Sequence, residues 1–109
     1  MADLAVQSIS RAGYEPTYAA ADVAGDAFPN SGKEFIHVLN GDVSSHTVTV
    51  AIVRQIDGLS PTARVVTVPA SEDRMIGPFP TGDYNDGDGK VNWTYDAVTS
   101  VTVGVFRAG

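Results

Sequence analysis

The chain predicts a small all-β domain, a single antiparallel β-sandwich of jelly-roll-like form with a long irregular N-terminal arm, and three observations carry that expectation. The last third alternates in period two: Lys90, Val91, Asn92, Trp93, Thr94, Tyr95, then Val98, Thr99, Ser100, Val101, Thr102, Val103. Fifteen Val and nine Thr stand against three Leu and two Met, and β-branched side chains suit a pleated surface while losing rotamer freedom in helices. Clusters of Gly, Pro, Asn and Asp punctuate the sequence about every ten residues, the spacing of short strands in a sandwich.

Taken in order, residues 4–9 form a short apolar stretch, and the next strand signal begins only at Lys33. Residues 1–32 are therefore read as arm and loop, and residues 33–109 as a strand-rich core, within one domain spanning 1–109. Inside the arm, Thr17 as a cap and Gly25 as a terminator predict one or two helical turns. Phe28, Pro29, Asn30, Ser31 and Gly32 have turn composition. Residues 33–39 place Glu34, Ile36 and Val38 on one face and Phe35, His37 and Leu39 on the other, as in a central strand. Asn40, Gly41 and Asp42 then turn the chain into a second strand over 46–53, expected to lie antiparallel beside the first.

A loop at 57–61 precedes a strand at 63–68 that Pro69 closes, since proline has no N–H for the ladder. Residues 72–79, interrupted by Gly77, Pro78 and Pro80, read as an edge or corner strand. The loop 81–89 introduces a closing hairpin whose second arm continues through Val105 to Phe106, and Trp93, sharing a face with Val91 and Tyr95, is assigned to the core.

Composition removes several function classes. Thirteen acidic residues against seven basic give a formal charge of -6, and the cations are scattered, so nucleic acid and anionic membrane are poor partners. With no cysteine there is no disulfide, thiolate metal site or cysteine nucleophile, as suits a protein made in a reducing cytoplasm. The acid at Asp3 does not fit the basic region of a signal peptide, and no apolar run approaches the roughly 18 residues of a membrane span. Asn92, Trp93 and Thr94 match a glycosylation triplet, which has no use without a secretory route.

Candidate chemistry is thin. Asp83, Asn85, Asp86 and Asp88 form an oxygen-rich loop of the kind that can hold calcium, but Asp88 stands where an EF-hand needs glycine and Thr94 where it needs glutamate, so a solvated turn is the expectation. Gly82 to Lys90 lacks phosphate-loop spacing. His37 and His46 flank one predicted hairpin loop with Asp42 between them, a conceivable two-histidine metal site. Ser44 or Ser45 with His46 and Asp42 are close in sequence, yet neighbours in a turn rarely converge as a triad. Glu72 and Asp73 are consecutive and would point to opposite faces of a strand. No catalysis, metal or cofactor is expected. The aromatic residues Tyr14, Tyr18, Phe28, Phe79 and Tyr84 fall in segments read as loops, where they either anchor partners or cap the ends of the sandwich.

The run Gln7, Ser8, Ile9, Ser10, Arg11, Ala12, Gly13, then Pro16 to Ala21, then Gly25 to Gly32 and the strand ending at Asn40 and Gly41, resembles small proteins encoded beside capsid genes in tailed bacteriophages. Gly77, Pro78, Phe79, Pro80, the triplet Tyr84, Asn85, Asp86, and residues 90–95 also fit. The resemblance covers most of the chain and consists of turn and strand signatures. It implies a head decoration, or cement, protein: a β-sandwich on the virion exterior that binds the major capsid protein lattice, as a homo-oligomer such as a trimer at a symmetry axis. The residues expected to contact partners are Leu4, Val6 and Ile9 of the arm and the loop aromatics Tyr14, Tyr18, Phe79 and Tyr84. Deletion of residues 1–10 is expected to abolish attachment while leaving the sandwich folded. The alternatives are a carbohydrate-binding or adhesion module using Tyr84 with Asp83 or Asn85, or another minor head or tail protein.

Overall fold

Alternating burial along Glu34–Asn40, with Glu34, Ile36, Val38 and Asn40 inward, shows how the period-two pattern is used: one face of each strand meets a second sheet. The computed structural model describes residues 2–53 and 63–108, so the predicted loop at 57–61 lies outside the described residues. In chain order the strands are β1 (Ala2–Asp3), β2 (Val6–Ile9), β3 (Ala19–Ala20), β4 (Asp26–Pro29), β5 (Glu34–Asn40), β6 (His46–Val50), β7 (Arg64–Val68), β8 (Asp73–Ile76), β9 (Lys90–Tyr95) and β10 (Val101–Ala108). A single helical turn, α1 (Thr81–Tyr84), lies between β8 and β9.

The strands form two packed sheets, one in the order β1-β4-β9-β6-β7 and the other in the order β2-β10-β5-β8, with β3 also pairing β10. The all-β sandwich expected from the sequence is the fold observed. Its interior is knitted by Trp93 against Phe28 (ring centroids 5.8 Å) and Phe28 against Phe79 (6.0 Å), surrounded by β-branched side chains from both sheets. Trp93 is in the core, as its pattern required.

Two expectations about strand pairing are corrected. The stretches around 33–39 and 46–53 are not a hairpin: β5 and β6 lie in different sheets, joined by an arch at 41–45. The closing pair is likewise an arch, since β9 pairs β4 and β6 whereas β10 pairs β5. Period two fixes which face of a strand is buried but not which sheet the next strand joins. Residues 2–32 are mostly irregular, as expected, but carry four short strands. β1 runs parallel to β4 and β2 parallel to β10, and the Leu4 N–H donates to the Ala27 carbonyl at 2.8 Å, so residues 2–9 cross from one sheet to the other and close that side of the sandwich.

The predicted helix at 17–25 is absent: Ala19–Ala20 pairs with β10, and Asp22 to Gly25 forms a tight turn closed by the Gly25 N–H on the Asp22 carbonyl. Gly25 is required there for two reasons, its φ of +98° and the position of a Cβ, which would sit 2.6 Å from the Trp93 carbonyl oxygen. Phe28 is a fully buried strand residue, not part of a turn. β8 is an edge strand, as Gly77 and Pro78 suggested.

Candidate interaction surfaces

The two histidines do not meet. His46, at the start of β6, is buried and gives Nε2–H to Asp42 (2.9 Å) and Nδ1–H to Asp96 (3.2 Å), one carboxylate from each arch. A carboxylate oxygen faces each ring nitrogen, an arrangement that favours the imidazolium. Its pKa is raised by the bond to Asp42, against the effect of burial and with help from Asp96. Asp42 is held low by His46 and by the Val43 N–H; Asp96 is pushed up by burial but pulled lower overall by the Thr47 and Ala97 N–H groups and His46. With both nitrogens engaged, His46 has no lone pair for Ser44 or Ser45, and the arrangement is a clamp between arches, not a hydrolytic triad.

His37 stands on the outer face of β5, where Asp73 of β8 takes its Nε2–H and Tyr18 donates its hydroxyl to Nδ1 at 2.7 Å. This is where Tyr18 is spent: its ring also packs on Phe106, and burial, with the Asp73 charge, raises its pKa. Glu72 and Asp73 do diverge, Glu72 pairing with Arg74.

The acidic loop is built from its own backbone. Asp86 accepts from the Asn92 amide at 2.8 Å and from the Asp88 and Lys90 N–H groups, which together hold its pKa low. Asn85 exchanges hydrogen bonds with Asn30. No cluster of three or more metal-ligating side chains occurs among the described residues.

The seven contact residues drawn from the sequence separate onto different parts of the molecule. Leu4 and Tyr14 line a cleft of about 250 Å³ beside β10, on the side closed by the N-terminal strands. Its wall is set by Gln7, whose side chain brackets Thr17 by donating to its carbonyl (2.8 Å) and accepting its N–H (2.9 Å), and which also accepts the Tyr14 hydroxyl. Val6 packs toward the core, whereas Ile9 is exposed at the β2 edge. Phe79 is buried against Phe28 and Tyr84, so it anchors its loop and is not a free surface aromatic. Phe79 and Tyr84 together line a second cleft, on the opposite side, between the edges of β7 and β8.

Sequence reasoning missed Val65 and Met75, exposed on those two edges, because they carry no motif. It also missed a buried chain in which Trp93 Nε1–H donates to Tyr95 (2.8 Å) and Tyr95 donates to Asp26 (2.6 Å). Asp26 is fully buried; burial raises its pKa, and its Oδ1 has no partner among the described residues. An acid inside a hydrophobic run at Asp26, Ala27, Phe28 was the only sequence signal.

Comparison with known proteins returned no match: no family, no curated protein and no solved structure is similar to the chain.

Proposed function

We propose that the protein is a structural component of a phage head, binding the outer face of the major capsid protein lattice and reinforcing the mature shell. One observation carries most of this reading beside the sequence resemblance: apolar side chains stand exposed on both lateral sides of a thin sandwich, Ile9 (39%) and Tyr14 (43%) on one, Val65 (56%) and Met75 (68%) on the other. A plate of 41 × 35 × 20 Å with adhesive groups on two opposed sides suits bridging between neighbours in a repeating array. Repetition then makes modest contacts sufficient, since linked or arrayed sites gain avidity of about 10² to 10⁴ over a single site. A shell held by such bridges must lose their interface area before its lattice opens.

The test is co-sedimentation of the purified protein with undecorated, expanded heads built from the major capsid protein of the phage that carries the chain. Saturable occupancy and a higher temperature of shell rupture are expected. Heads that pellet without the protein at saturating concentration would overturn the proposal.

A further inference from the structure

Asn40 and Gly41 form an asparagine–glycine pair, the dipeptide in which the backbone most easily attacks an asparagine side chain, because glycine has no side chain to shield its nitrogen. The attack needs a side-chain amide free to swing over the next peptide and a peptide nitrogen free to lose its proton. The fold withholds both. Asn40 ends β5 with 2% of its surface exposed, and its Nδ2 donates to the carbonyls of Ser44 (2.9 Å), Val68 (3.1 Å) and Pro69 (3.3 Å). Its Oδ1 accepts the Asp42 N–H at 3.0 Å, and the Gly41 N–H donates to the Ser100 carbonyl at 2.8 Å. One side chain thus joins the end of β5, the arch at 41–45 and the end of β7 in the other sheet.

Those donors are what the reaction removes. In the opened chain the Gly41 nitrogen attacks Asn40 Cγ, Nδ2 leaves as ammonia, and water opens the resulting succinimide to aspartate or isoaspartate. A carboxylate only accepts hydrogen bonds. The three carbonyl oxygens that faced the Asn40 N–H groups would then face a negative charge in a buried site, an arrangement that costs far more than the lost bonds alone. We propose that Asn40 is a conditional deamidation site: inert while the arch at 41–45 is closed, converted when it opens, and once converted unable to resume the closed arrangement. Opening of the arch, otherwise reversible, becomes a one-way loss of the fold, so the lifetime of the protein is limited by how often this arch opens. The inference is independent of the head-decoration reading.

The test incubates the full chain at mildly alkaline pH in buffer and in concentrated urea, then digests it briefly at acidic pH and maps the peptide that holds Asn40 by mass. Conversion at Asn40 is expected in urea, and at least about a hundredfold more slowly in buffer, the ratio set by the free energy of opening. Gly41→Ala is expected to slow the reaction severalfold in urea, where its methyl group hinders the attack and no fold is at stake. After dilution from urea, chains that still carry asparagine are expected to recover the native melting transition, and converted chains in the same sample are not. Asn40→Asp, which installs one product directly, is expected to lower the folding equilibrium constant about a hundredfold or more in denaturant titrations. Equal rates in buffer and in urea, conversion in urea that spares Asn40, or full refolding of the converted chains overturns the proposal.

Discussion

His46 donates to two carboxylates from one ring, and that fixes how the fold responds to pH. Its folded pKa lies above the unfolded value of 6.5, so its contribution is complete below pH 6.5 and is lost as pH rises through the folded value. Asp42 and Asp96 lie below 3.8, so theirs is present above pH 3.8 and is lost as pH falls. The clamp is therefore complete between those limits. Thermal melts are expected to show a melting temperature that declines from pH 6 toward pH 9 in the native protein, with a lower and flatter profile in His46→Gln; parallel profiles would contradict the clamp.

Asp26 has the opposite character. Its raised pKa means that the fold disfavours the charged form, so stability falls as pH rises above 3.8. Asp26→Asn is expected to stabilise the protein at pH 7 by about 1 kcal/mol in denaturant titrations, the low end of what replacing a buried charge yields, and the gain is expected to shrink near pH 4. Gly25→Ala combines left-handed strain with a carbonyl clash and is expected to cost about 2–4 kcal/mol. A smaller loss would mean that the Asp22 to Gly25 turn can shift.

At the level of elements, strand existence was largely legible and strand partnership was not. β5, β6, β7, β9 and β10 each carry a run of β-branched residues with one apolar face, which is a local property. Whether the arches at 41–45 and 96–100 fold back within a sheet or cross to the other depends on packing many residues away, and the turn chemistry of Asn40, Gly41 and Asp42 serves either outcome. β2 showed only as the short apolar stretch at 4–9, whereas β1, β3 and β4 escaped notice because so few residues show no clear period.

That correction changes one expectation. Leu4 and Val6 pack on the core from the N-terminal segment, so deleting residues 1–10 is expected to cost about 2–4 kcal/mol of stability through lost apolar burial and to bare the β10 edge. An unchanged denaturation midpoint would show that β1 and β2 are dispensable to the fold. Ile9→Asp, at an exposed position, is the variant that separates attachment from folding.

For the whole molecule, the proposed contact surface was legible only in fragments. Tyr14, Phe79 and Tyr84 stood out as loop aromatics, but their distribution between two clefts on opposed sides follows from topology alone, and Val65 and Met75 carry no signature that a sequence displays. Adhesion at the lateral edges, repeated over a lattice, is the central proposal. Copy number tests it most directly. Quantification of the protein in intact particles is expected to give on the order of hundreds of copies, in fixed ratio to the coat protein, as icosahedral repetition requires. About a dozen copies, the number set by a single ring at one vertex, or none at all, would contradict it.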